Sequence, residues 1–162
     1  MSDIQTPKMT WEIKSFGELS TGELHDLLKV RMDVFVVEQA CAYPEIDGKD
    51  TLCVHVLGKD SSGITVATAR IVPAGVIYSE VSIGRVAVEK SLREKGIGKI
   101  VMEHALTYSK TTLNASTIKI AAQLYLKKFY SDFGFVQISD VYLWDGIEHI
   151  DMRFSAKNGE SQ

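Results

Sequence analysis

The sequence predicts an α+β domain, a mixed and mostly antiparallel sheet of about seven strands flanked by helices. Three observations carry this. Strand-like, β-branched runs stand next to one another and are joined by short turn signals. Two longer stretches instead repeat apolar residues at helical spacing. A strict strand–helix alternation is absent, so a doubly wound parallel sheet is not expected.

Trp11 to Lys14 reads as the first strand. Ser20, Thr21 and Gly22 offer an N-cap, with Glu23 in the following turn. Leu24, Leu27, Leu28, Arg31 and Phe35 then form one face of a helix reaching about Val37. Glu38 to Asp50 holds Pro44 and Gly48 and reads as an ordered loop. Leu52 to Leu57 and Ile64 to Val72 flank Gly58 to Gly63 as a hairpin, and Val81 to Val88 is a further strand. After a break, Ile97, Ile100, Val101, His104, Ala105 and Tyr108 make a second helical stripe. A strand from Thr117 to Ala121, a short helix from Leu124 to Phe133 and a strand from Phe135 to Ile138 come next. Asp145-Gly146 marks a turn into a last strand, Glu148 to Phe154.

At ~150 residues per domain, the 162 residues make one domain, with a core over roughly 11–155 and frayed ends at the first few residues and from Ala156 onward. Eighteen basic against 21 acidic side chains leave a net charge of −3, a poor balance for gripping a phosphate backbone, so no nucleic-acid partner is expected. No apolar run approaches the ~18 residues of a membrane span, and Met1 to Thr10 does not read as a secretory signal. Cys41 and Cys53 are too few for a disulfide framework or a thiolate metal site. No metal and a cytoplasmic location are the expectations.

The chemistry concentrates in Ser82 to Lys99. An apolar strand ends at Val88, and a polar linker leads to Arg93, Glu94, Lys95, Gly96, Ile97, Gly98 and Lys99 at the mouth of a helix. The first turn of a helix has unpaired N–H groups and the positive end of the dipole, which suit a phosphate. Glycines at 96 and 98 let a diphosphate approach the backbone. A Walker A loop would need glycine where Arg93 stands and a hydroxyl residue in place of Ile100. A dinucleotide fingerprint beginning at Gly96 would need glycine or alanine in place of Val101.

R-x-x-G-x-G after a strand ending in V-A-V resembles the acyl-CoA pyrophosphate loop of the GNAT N-acetyltransferases. The stretch Gln123 to Phe135 is similar to that family's second signature, matching at Tyr130, Gly134 and Phe135, with Gln123 where asparagine is more usual. RMDVFVVEQ from Arg31, EIDGKD from Glu45, SIGRVAV from Ser82 and DGIEHIDMRF from Asp145 resemble its ElaA-type subgroup. The resemblance implies a GNAT fold with a splayed strand pair and an N-acetyltransferase that moves acetyl from acetyl-CoA directly to an amine. It assigns the backbone of Val86, Ala87 and Val88 to the pantetheine arm and thioester, the loop Arg93 to Lys99 to the pyrophosphate, Gln123 to the cofactor side, and Tyr130 to the general acid.

The base is open. The family often has glutamate where this chain has Ser82, leaving Glu80, Glu38 and His149 as candidates, the last because imidazole as a class titrates in the useful range. Arg31, on an apolar stripe, calls for a carboxylate partner (Glu38, Glu45 or Asp47) or a substrate role. His55 and His104 read as core or boundary histidines and His25 as surface. Glu38, Glu45, Asp47 and Asp50 hint at a cationic acceptor, whether small molecule, polyamine or peptide. Alternatives are a non-catalytic acyl-CoA-binding module and, from Arg31, Phe35, Glu38 and Asp47, an enzyme resembling acyl-homoserine-lactone synthases. A homodimer fits the family habit.

Overall fold

The computed structural model describes residues 5–157, so the expected fraying at the first residues and the far end of the tail lies outside the described residues. The elements are β1 (Thr10–Ser15), α1 (Thr21–Met32), β2 (Val54–Lys59), β3 (Thr65–Val72), β4 (Val81–Val88), α2 (Ile97–Thr111), β5 (Thr117–Gln123), α3 (Lys127–Ser131), β6 (Val136–Gln137), β7 (Tyr142–Trp144) and β8 (Ile147–Ser155). All eight strands join one sheet in the order β1-β2-β3-β4-β5-β8-β6, with β7 also on β8. The expected class holds. The extra strand is β7, which at three residues is too short to show alternation.

Local chemistry accounts for the ends of the helices. Ser20 caps α1 by accepting from the Glu23 amide at 3.1 Å, and the Glu23 carboxylate accepts from the Ser20 amide at 2.9 Å. Beyond Met32 the helix widens into a π-helical stretch, Asp33–Glu38, so its axis carries on to the expected limit with altered side-chain spacing. Asp50–Leu52 is a short 3-10 turn and β2 begins only at Val54. α2 is entered through Gly96, whose φ of +76° places it in the left-handed region that glycine reaches without cost.

The two faces of the sheet differ. Ala67, Ala69 and Ile71 of β3 join Val101, Met102, Ala105 and Leu106 of α2 in an apolar core that also takes in Ile118, Ile120, Ile150 and Met152. Thr68 and Arg70 alternate to the other face, where α1 packs on β3. Beneath α1 the core is ionic. Buried Arg31 donates to Glu45 at 2.6 and 3.0 Å and to Asp50 at 2.8 Å. Buried Arg70 donates to Asp47 at 2.9 and 3.0 Å and to Asp50 at 3.2 Å. Burial pushes the Asp47 carboxyl up, but the Arg70 guanidinium and the Lys49 amide outweigh it and hold it at about 2. Arg31 thus has carboxylate partners. They are Glu45, as anticipated, and Asp50; neither Glu38 nor Asp47 takes that place.

The middle strand β4 is irregular on both of its edges. It runs parallel to β5 for only two pairs, Val81↔Ile118 and Ser82↔Lys119, after which the strands part. Against β3, Thr68 faces Ala87 whereas Arg70 faces Gly84, so β4 carries one extra residue across from Ala69. That is a β-bulge, and Arg85 within it has φ +51°.

Candidate active site

The parting of β4 from β5 leaves one edge of β4 from Ile83 to Val88 without a strand partner, so its backbone donors and acceptors line a wedge. Counting on from Ser82↔Lys119 brings Gln123, and His149 opposite it on β8, level with Val86 and Ala87. The wedge opens toward the loop after Val88 and toward the N-terminus of α2. A Cβ added at Gly98 would lie 3.9 Å from both Val88 Cγ2 and Phe129 Cζ, so the helix start, the end of β4 and α3 meet there. The expected loop residues Arg93 to Lys99 therefore come together at the wedge mouth with Val86, Ala87 and Val88. Glu94 adds a second left-handed residue to the loop, at φ +64°.

Arg93 is already engaged. Its Nε donates to the Val88 carbonyl at 3.2 Å, and its two terminal nitrogens grip the Glu38 carboxylate. That hydrogen bonding holds the Glu38 carboxyl below the usual carboxylate range, which makes Glu38 a weak base and gives it an electrostatic partner instead. The neighbouring Gln39 exchanges amide hydrogen bonds with Gln123 at 3.0 and 3.1 Å. Two consecutive residues at the end of the π-helical stretch thus reach the loop after β4 and the end of β5. Sequence spacing gave no sign of Gln39, whose partner lies 84 residues on.

Tyr130 sits on α3, half-buried, with its ring edge-on to Phe129 at 5.1 Å and Phe135 at 6.1 Å. Burial, with Tyr125 nearby, pushes its phenol well above the ordinary tyrosine range, so it keeps its proton at neutral pH. Just past Gln123, Leu124 and Tyr125 with Ile147 and Glu148 line a hollow of about 290 Å³.

His149 lies between β5 and the β7 aromatics, its ring stacked on Tyr142 at 6.0 Å and tilted against Trp144 at 5.6 Å. Its Nδ1 is 2.8 Å from the Ile147 carbonyl oxygen. A carbonyl only accepts, so Nδ1 carries the hydrogen, and in the neutral ring Nε2 holds the lone pair.

Two expectations change. Glu80 precedes β4 at the end where that strand is still paired with β5, and its carboxylate meets Arg153 at 3.3 Å. Six residues of strand separate it from Val86, roughly 20 Å at the rise of an extended chain, which takes it out of reach as a base. The acidic residues of the α1–β2 loop do not offer free charge to a cationic acceptor. Glu38 is held by Arg93, and Glu45, Asp47 and Asp50 by Arg31, Arg70 and Arg85. His55 is buried, as anticipated, donating from Nε2 to the Asp50 carbonyl at 3.0 Å, and His104 stacks on Trp11 at 5.0 Å.

The same architecture recurs in known proteins. Residues 34–156 match the model of the acetyltransferase (GNAT) domain, and the chain belongs to this family. Within it the chain is similar to protein ElaA of Escherichia coli K12, 38% identical over 144 residues that cover 88% of this chain and 94% of that one. A UPF0039 protein of Schizosaccharomyces pombe is 42% identical over 141 residues, 86% of this chain and 93% of its own. Among solved structures, E. coli ElaA superposes with a TM-score of 0.83 at 36% identity, over 91% of this chain and all of its own (100%). An acyl-CoA N-acyltransferase from Pseudomonas aeruginosa gives 0.86 at 35% identity with the same coverage, 91% and 100%.

Proposed function

We propose that the protein is an acetyl-CoA-dependent N-acetyltransferase that passes the acetyl group directly to an amine held beside the wedge. The observation that carries this is the early parting of β4 from β5, which frees a strand edge beside a glycine-bearing helix entry. The residues suit such a molecule: a strand edge can pair with the amide groups of a pantetheine arm, and the open backbone at Gly96 and Gly98 can take a diphosphate. Acetyl-CoA supplies the thioester. An N–H of the Val86 to Val88 segment donates to its carbonyl oxygen as negative charge grows there. His149 Nε2 takes the proton the amine must lose, directly or through one water. Tyr130 gives its proton to the departing thiolate. The C–N bond forms as the C–S bond breaks, and both protons have a named owner.

Arg93 joins this set by turning one or both terminal nitrogens from Glu38 to the diphosphate, so cosubstrate binding competes with the end of α1 for the same guanidinium. With the loop carboxylates neutralised, the acceptor amine, whether small molecule, polyamine or peptide, is recognised by neutral and aromatic groups: the His149 ring, Tyr142, Trp144 and the hollow beside Tyr125.

Calorimetric or thermal-shift titration with acetyl-CoA tests the reading, with ATP, NAD and S-adenosylmethionine as controls. At a hundredfold excess over Kd, stabilisation of about 2.7 kcal/mol is expected for acetyl-CoA and CoA alone. Silence to both would sink the acyl-CoA assignment, and a response to S-adenosylmethionine would move the protein toward lactone-synthase chemistry. An amine screen read by thiol release then gives turnover. In that assay His149→Gln should lower kcat by ~100-fold at neutral pH with acetyl-CoA affinity unchanged. Retention of full kcat would return the base to an unassigned water.

A further inference from the structure

Arg85 is the one non-glycine residue of the described strands with φ in the left-handed region, and it stands inside the β4 bulge. Arginine has no backbone reason to be there; glycine or asparagine would reach φ +51° at lower cost. Its side chain supplies the reason. Arg85 Nη2 donates to the Glu45 carbonyl at 3.1 Å, and Nε lies 2.9 Å from Glu45 Oε1, although its N–H is not aimed along that line. Asp47 stands 3.6 Å from the same guanidinium, which also lies 5.4 Å over the Tyr43 ring. Glu45 is itself fixed, almost fully buried and gripped by Arg31. The bulge is thus anchored from the α1–β2 loop by a chain of contacts running from Arg31 through Glu45 to Arg85. Next to it, a Cβ added at Gly84 would meet nothing within 4 Å, so the backbone at this point gets little support from direct packing.

We propose that Arg85 is a positioning residue: through Glu45 it holds the β4 bulge in the shape that turns the free-edge amides of the Val86 to Val88 segment toward the acyl group. This rests on the acetyl-CoA reading above. Arg85 touches no reacting atom. Its effect passes through one strained peptide, and the strain persists because the guanidinium is held by one hydrogen bond to the Glu45 carbonyl and by the charges of Glu45 and Asp47 beside it. Removing the clamp should loosen the segment without unfolding the molecule, since Arg31 and Arg70 keep their own carboxylates.

Hydrogen–deuterium exchange and titration with acetyl-CoA and CoA, on the full chain, test this. In Arg85→Met, exchange of the Val86 to Val88 amides is expected to rise about tenfold or more, confined to that segment. Affinity for acetyl-CoA should fall by a larger factor than affinity for CoA, which shares the pantetheine contacts but lacks the acetyl oxygen. Arg85→Lys, which can still reach Glu45, should restore most of both effects. Arg85→Gly is the second variant should Arg85→Met fold poorly: glycine takes φ +51° freely but brings no clamp, and it should show the same local rise. Unchanged exchange in either variant, or a rise spread evenly over the sheet, would overturn the clamp. A wild-type protein that ignores acetyl-CoA in the titration overturns instead the reading on which the proposal rests.

Discussion

Tyr130→Phe is expected to bind acetyl-CoA as tightly as the wild type and to turn over ~100-fold or more slowly. The substitution removes one oxygen and little else. The ring keeps its edge-on contacts with Phe129 and Phe135, and among the described residues no protein group hydrogen-bonds the hydroxyl, so no buried partner is orphaned. Thermal stability should therefore stay within a few tenths of a kcal/mol. What is lost is the proton for the thiolate, which the phenol carries throughout the neutral range. The check is kcat by thiol release beside Kd by calorimetry. Wild-type turnover in the variant would remove Tyr130 as the acid. No turnover in either protein, with acetyl-CoA binding intact, would favour a binding module over an enzyme.

Gly98→Val should weaken acetyl-CoA binding by ~100-fold or more while leaving the fold in place. Space for the new Cβ exists, at ordinary contact distance from Val88 and Phe129, and valine is a tolerable residue in the first turn of a helix. Its methyl groups, however, would cover the amides that the first turn of α2 leaves without carbonyl partners. Loss of two charge-assisted hydrogen bonds, at ~1.5–3 kcal/mol each, corresponds to ~100-fold or more in Kd. Gly98→Ala should fall between. Circular dichroism and a melting curve establish that the variant is folded, and the titration then decides. A folded Gly98→Val protein that binds acetyl-CoA normally would relocate the diphosphate.

What could be read from sequence followed the range of the interactions. The Ser20–Glu23 capping box, the stripe Ile97, Val101 and Ala105 of α2, and the β2–β3 hairpin arise from residues a few positions apart, and their patterns announce them. The glycine-bearing entry to α2 was visible for the same reason. β7 was not, because Tyr142–Trp144 is a strand only through its register with β8. Arg31 declared its need of a carboxylate by standing on an apolar stripe. Which carboxylate depended on how the loop to Asp50 folds back, and Glu38 went instead to an arginine 55 residues away. Arg85 was a missed signal of the same kind: a charge amid the apolar run SIGRVAV needs a partner, and the partner was the very Glu45 that Arg31 also required.

The two-pair seam between β4 and β5 also bears on how the molecule comes together. On one side of it lies an antiparallel meander, β1 to β4; on the other, β5 with β8 and the short strands against it. Each side assembles from antiparallel neighbours, but the seam joins them in parallel, through a crossover that spans α2 and returns only two pairs. Beyond the seam the sides are tied by the apolar layer under α2, shared by Ile83 and Ile120, and by the side-chain pairs Gln39–Gln123 and Glu80–Arg153. The seam is therefore a short ladder closed at a cost in chain entropy, and the shared core beneath it does most of the holding. A molecule seated in the wedge would do for the sheet what the missing ladder does not, acting as a strut between two strands whose own pairing stops at one end.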